Sequence, residues 1–510
     1  MFAENKRVLR ESSQAEIIPS GKRLRALTIA MLAAAAIILA AISNESLWID
    51  EGGSAYKAIQ PTLSGWWQAM LWEHNSNMQL PLYLIGLWGW EKLFGSGEII
   101  LRLANAPFFF LTIYGLWMAF RKDPTRFNIS ILLLLTNAFT WFYLNEARPY
   151  ILILGSATVL FALVYRLKED TAQFDATSAW VFTGVVLLLC ATSMIAAPWV
   201  ACAFCAIWYL KGKRFPLEFI RRFPASSAVL LLGMIFIGSY YTWSLKIGAD
   251  VPGMGKTGFE NLAFMVYELF GFAGLGPPRN VMRIEFMRAF PAFYLPLAIY
   301  GTLWTLTLAA SLCKLSRPIF GKKNIGFYLI LFLPVVIIML AGYVHGIRVL
   351  PRYLTPSLPL IIFLASYLAA SLWKHGHWSR GLVVCLMLGG LISCLEIRFA
   401  PRHAKDDYRS ATAVAKKAAA KGEKIYWAAD VQTAIYYGLI NEKERDFGSS
   451  NIFLFKTKHI QKSDPDLIVL SKTDLYDKSG NIRTFLRDNK YVLLQRFQSF
   501  QLWHKPTGSD

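Results

Sequence analysis

The sequence predicts an all-α polytopic membrane domain followed by a small soluble α/β domain. Hydrophobic residues make up 55% of the 510 and charged residues only 17%. The apolar residues gather in runs of roughly 17 to 22, the length that crosses a hydrocarbon core as helix. Beyond Arg398 the composition turns into that of a soluble domain.

A basic start (Lys6, Arg7, Arg10, Lys22, Arg23, Arg25) makes residues 1–25 a cytoplasmic arm. The apolar run after it reads as a retained anchor rather than a cleaved leader, because it is long enough to span and further spans follow. About eleven transmembrane helices are expected, near 26–43, 99–120, 127–144, 150–166, 178–194, 196–210, 226–244, 291–313, 326–343, 353–373 and 380–397. The two short spans between 178 and 210 are expected to break at Ala197-Pro198, where proline disfavours continued helix.

The stretch Leu80 to Gly95 is apolar but short, and it carries Glu91 and Lys92. Counted as a crossing, it would put the clusters Arg121-Lys122, Lys211-Gly212-Lys213-Arg214, Lys322-Lys323 and Lys374 on the outer face, against the positive-inside bias. It is therefore read as a surface-lying or re-entrant helix. The membrane domain then covers 26–397, with outer loops at about 44–97 and 246–289, and residues 398–510 form an extracytoplasmic α/β domain. In that domain helices are expected over 406–421, 431–439 and 481–489, and strands over 424–429, 466–471 and 491–497.

A net charge of +20 would suggest nucleic acid in a soluble protein. Here most Lys and Arg lie in short clusters between apolar runs, so they read as topology signals and as attraction to membrane lipids; no nucleic-acid partner is expected. All six cysteines (Cys190, Cys202, Cys205, Cys313, Cys385 and Cys394) fall in apolar runs, and Cys202-Ala-Phe-Cys205 reads as helix packing. Neither GxGxxG nor a P-loop occurs in the soluble domain.

Three groups on the outer side go beyond anchoring. They are Asp50-Glu51 directly after the first span, Asn145-Glu146-Ala147-Arg148-Pro149-Tyr150 at an outward turn, and His345-Gly346-Ile347-Arg348 running into Arg352-Tyr353. Charges near the hydrocarbon edge should face a wet cavity or one another. Arginine forks grip phosphate, and a carboxylate accepts a proton from an attacking hydroxyl. Each group also has a plain reading. Asp50-Glu51 could be solvated loop acids, Glu146 and Arg148 a helix-end pair, and Arg348 and Arg352 snorkelling anchors. His74 could be an interfacial polar residue, and Trp66, Trp67, Trp72, Trp88 and Trp90 an aromatic belt. Asp406-Asp407 opens an expected helix, where acids favour the dipole, and is given no catalytic role.

Taken in order, these features resemble the GT-C membrane glycosyltransferases, in particular the superfamily of protein O-mannosyltransferases and lipid A aminoarabinose transferases. The residues that carry the likeness are Asp50-Glu51, Asn75 with Pro81-Leu82-Tyr83, Leu93-Phe94-Gly95-Ser96-Gly97-Glu98, Leu101-Arg102-Leu103, Glu146-Ala147-Arg148-Pro149-Tyr150, and Arg352-Tyr353-Leu354-Thr355-Pro356 with Leu358-Pro359. The likeness is densest over 45–165, recurs near 350 and fades in the soluble domain. Many relatives carry His-Pro-Pro-Leu-Tyr where this chain has Met78-Gln79-Leu80-Pro81-Leu82-Tyr83, and a His where it has Thr192-Ser193-Met194.

The resemblance implies a multi-pass enzyme of the bacterial inner membrane, working on the periplasmic side with a polyprenyl-phosphate-sugar donor and a lipid, glycan or protein acceptor. Combined with the residue chemistry, it makes Asp50 the general base of an inverting transfer and has Glu51 and Glu146 position the acceptor or stabilise positive charge. Arg148 and Arg352, with Arg348 or Arg279, would hold the leaving phosphate. His74, Asn75, Tyr83, Tyr150 and Tyr353 complete the expected substrate contacts. No metal or other cofactor is required, although acids at one depth leave room for a divalent cation. A lipid-carrier flippase or polysaccharide polymerase, or a non-enzymatic membrane receptor, would share the architecture without needing Asp50.

Overall fold

The computed structural model describes residues 20–72, 76–168, 174–247, 257–314, 322–455 and 459–506. Residues 1–19 of the N-terminal arm, and 248–256 of the second expected outer loop, lie outside that set. Among the described residues eight helices are long and apolar enough to cross a membrane: Gly21–Ala41, Glu98–Phe120, Tyr150–Lys168, Met194–Lys211, Pro224–Ile247, Arg288–Cys313, Ile325–Val344 and His377–Phe399. Pro124–Leu135 and Ala138–Leu144, bent by 60°, make a ninth if counted as one broken span. Two further apolar helices, Ala176–Thr192 and Ser357–Trp373, have 17 residues each. At 1.5 Å per residue they reach about 25 Å, short of a full hydrocarbon core. The chain is a multi-pass membrane protein, and each expected span falls on one of these helices or on the bent pair.

Tyr150–Lys168 lies at the centre of the bundle, buried along nearly its whole length. Its close contact with the Ala106–Phe120 helix depends on Gly155, where a Cβ would come within 2.5 Å of the Phe108 carbonyl oxygen. Small residues at such crossings let helix backbones approach in lipid. The break between the two short spans lies earlier than expected. Ser193 is extended (φ −158°, ψ 129°) and ends the first helix, while Pro198 sits in the first turn of Ala197–Lys211. Proline is tolerated there because its missing N–H would have had no intrahelical partner.

The 80–95 stretch forms the helix Pro81–Phe94 and lies against the Ile49–Ala58 helix. Its buried face (Tyr83, Leu84, Leu87) packs with Leu47, Ala55, Ala58 and Leu101, and the Trp88 and Trp90 indoles donate to the carbonyls of Gln60 and Ile100, both at 2.8 Å.

The soluble domain is built on a five-stranded sheet of order β2-β1-β3-β5-β4, with β1 Ile425–Ala428, β2 Ile452–Leu454, β3 Leu467–Ser471, β4 Val492–Phe497 and β5 Phe500–His504. β1 runs parallel to β2 and β3, while β5 is antiparallel to β3 and β4. β3 is an unbroken apolar run because both faces are covered. Leu467 and Val469 meet Tyr408, Ala411 and Ala415 of one helix, and Ile468 and Leu470 meet Ile482 and Leu486 of another.

The domain is seated on the segment that follows the first span. Ile49 packs on its core, and a Cβ at Gly52 would fall 1.9 Å from Thr433 Oγ1, so only glycine permits this approach. Leu47 N–H donates to the Tyr437 hydroxyl at 2.8 Å, Tyr56 to Glu442 at 2.5 Å, and Trp72 Nε1 to Asp446 at 2.7 Å.

Candidate active site

Asp50 and Glu51 occupy the first turn of the Ile49–Ala58 helix, where carboxylates meet the positive end of the dipole. Successive helical side chains point about 100° apart, and this separates the two acids. Asp50 keeps 27% of its side chain open, while Glu51 is fully buried.

Both oxygens of Glu51 are engaged inside the protein. Arg102 grips them as a fork, Nε to Oε1 at 2.8 Å and Nη2 to Oε2 at 2.9 Å. Ala147 N–H donates to Oε1 at 3.0 Å, and Lys405 Nζ to Oε2 at 2.8 Å. Burial alone would raise its pKa, but Arg102 and Lys405 outweigh burial and hold it at about 2. Glu51 thus ties the segment after the first span to the 145–150 turn and to the linker after the last span. It has no free oxygen to offer an acceptor.

Asp50 Oδ2 lies 2.5 Å from Arg352 Nη1. Arg148 Nη1 donates to the Asp50 carbonyl at 3.3 Å, Ser54 Oγ at 3.1 Å and Asn77 Oδ1 at 2.9 Å. Burial pushes the Asp50 pKa up, and the charges of Arg352 and Arg148 then bring it below its usual value, so Asp50 is ionised at neutral pH. The Nε atoms of Arg148 and Arg352 are buried without a hydrogen-bond partner among the described residues. Tyr150 lies within electrostatic range of Asp50, Arg148 and Arg352.

Glu146 is fully buried, and neither carboxyl oxygen has a hydrogen-bond partner among the described residues. Burial raises its pKa to about 7, with Lys405 opposing and Glu51 reinforcing the shift. Its turn is held by Asn105, whose Nδ2 donates to the Glu146 carbonyl at 2.5 Å, and the Tyr83 hydroxyl reaches Asn105 Oδ1 at 3.5 Å. Tyr83 therefore acts behind the turn.

Arg348 is half-buried, with no hydrogen bond or ion pair among the described residues, whereas Arg352 lies with its guanidinium carbon 5.7 Å from the Tyr353 ring centre. Arg279 forks onto Glu268 and lies 3.3 Å over the Phe142 ring. His74 and Asn75 lie outside the described residues. No group of three His, Cys, Asp or Glu suited to a metal occurs among the described residues.

Sequence reading missed Lys405, Lys472 and the structural part played by Arg102. Lys405 adjoins the last span and Arg102 sits in a quoted motif, so proximity to recognised segments was the available signal. Lys472 carried none. Asp407 caps its helix by accepting from Ser410 N–H at 3.0 Å, whereas Asp406 ion-pairs with Lys472 at 2.5 Å.

Two solved structures share this architecture over nearly the whole chain. ArnT from Cupriavidus metallidurans in the apo state is 12% identical, covers 94% of this chain and 97% of its own, and superposes with a TM-score of 0.53. The chain has the GT-C fold. The same ArnT bound to undecaprenyl phosphate is 13% identical, with 96% and 99% covered and a TM-score of 0.50. No family model and no curated protein matches the chain.

Proposed function

We propose that the chain is a membrane glycosyltransferase that moves a sugar from a polyprenyl-phosphate carrier to an acceptor hydroxyl on the extracytoplasmic side of a bacterial inner membrane. The observation that carries this is the partly exposed Asp50 carboxylate held against Arg352 beside Arg148. Two guanidiniums with unpartnered Nε donors suit a lipid phosphate, and the ArnT structure of the same fold holds undecaprenyl phosphate.

An arriving phosphate competes with Asp50 for Arg352. As it takes that guanidinium, Asp50 loses its closest positive partner and becomes a stronger base. Asp50 then accepts the acceptor's hydroxyl proton while the oxygen attacks the anomeric carbon. The bond from that carbon to the phosphate oxygen breaks and the phosphate leaves with the electron pair, so one displacement inverts the anomeric centre. Arg148 and Arg352 stabilise the departing charge. Glu146, with both oxygens unpartnered, orients the sugar or the acceptor, and Glu51 holds the scaffold. The acceptor is a lipid, glycan or protein.

Purified protein in nanodiscs, supplied with polyprenyl-phosphate sugars and envelope extract, tests the reading. Asp50→Asn should lower transfer by about 10²- to 10⁴-fold with the fold intact. Full activity in that variant would refute the base assignment. Mass spectrometry of envelope glycolipids with and without the protein identifies the sugar and its acceptor.

A further inference from the structure

Ligands of open α/β sheets bind outside the carboxyl ends of parallel strands, at the point where strand order reverses. In this domain that point lies between β1 and β3, since β2 flanks β1 on its other side. Asp430 and Lys472 stand just past the two strand ends. Asp430 caps the helix Val431–Tyr436, whose Thr433 abuts Gly52. The Lys472 ammonium lies 5.2 Å from the centre of the Trp48 ring. The protein's own Trp48–Gly52 segment therefore lies against residues beside both strand ends.

We propose that the C-terminal domain holds the start of the Asp50 helix in its strand-end crevice as an internal ligand, with Lys472 as a positioning residue for the Asp50 carboxylate. This rests on Asp50 being the base.

Three observations support it. Lys472 is 4% exposed and pairs with Asp406, itself 3% exposed, so its ammonium is fixed rather than solvated. Its backbone is left-handed (φ 36°), a conformation uncommon in residues other than glycine. And Asp406 follows Lys405, so one dipeptide ties Glu51 and Lys472 to the same linker. Among the described residues, the charged and titratable groups that act on Asp50 include Arg352, Arg148, Lys472 and Tyr150; Asp406 faces Lys472. Lys472 is one of the cations that lower the Asp50 pKa, so its loss moves protonation of the base to higher pH.

The test uses the full chain in nanodiscs. In Lys472→Met, amide exchange over 49–58 should rise several-fold relative to the central helix 150–168. The acid limb of kcat/KM should move to higher pH, with the loss at the acid end about threefold greater than at pH 8. Lys472→Arg should restore both. If Lys472→Met does not fold, Asp406→Asn supplies the opposite change, because an unneutralised Lys472 moves the acid limb to lower pH. Unchanged exchange overturns the crevice, and an unmoved acid limb overturns the positioning role. Wild-type protein that transfers nothing, while the exchange difference persists, would instead count against the glycosyltransferase reading.

Discussion

The adjacent acids Asp50 and Glu51 divide into an open carboxylate and a sealed one, and the division makes different demands on their partners. Glu51 and Arg102 form a fully buried fork. Arg102→Met would leave the carboxylate with Lys405 as its remaining ion-pair partner among the described residues and should destabilise the protein by about 3–5 kcal/mol, read as a lower melting temperature in detergent. Glu146 behaves in the opposite sense. Its folded-state pKa of about 7 stands above the ordinary 4.5, so the unfolded chain releases the proton first. Its contribution to stability is therefore full below about 4.5 and is lost as pH rises through about 7. The melting temperature should fall through that window in the wild type and stay flatter in Glu146→Gln. An identical slope in both would show that Glu146 does not titrate there. At this scale the sequence pointed to Asp50, Arg148 and Arg352 as one group, and they do meet. It could not separate Glu51 from Asp50, because neighbouring letters acquire different surroundings only once a helix turns them about 100° apart.

At the scale of elements, the Ile49–Ala58 helix works through its glycine. Gly52→Ala would drive a methyl group into Thr433 and push the helix off the soluble domain. Transfer should drop at least about tenfold, the equivalent of 1.4 kcal/mol misplaced at the base, while the protein still inserts and purifies as a monodisperse species. Wild-type rates in that variant would mean the contact does not hold Asp50 in place. The spans, the short surface helix and three of the five strands were legible from hydropathy and alternation. β2 and β5 were not. β2 has three residues, and Phe500–His504 (FQLWH) alternates too briefly to register, so both depend on pairing with β1 and β3.

Across the whole molecule, the segment after the first span, the 145–150 turn, the 348–353 stretch and the soluble domain meet on one side of the bundle. The basic clusters at Lys122 and Lys213 should then lie in the cytoplasm. Single cysteines placed there in a cysteine-free background should resist a membrane-impermeant maleimide in intact spheroplasts, whereas one at Lys443 should react. The reverse pattern would invert the topology and place Asp50 in the cytosol. The sequence by itself determined the membrane class, the order of spans and the segments that carry charge, because hydropathy and helix length are local properties of the chain. Only the tertiary structure decided that Lys405 closes on Glu51 and that Lys472 reaches Trp48 from more than 400 residues away. Ion pairs and ring contacts over such separations leave no spacing pattern in a chain, and they exist only once packing has made the burial that requires them.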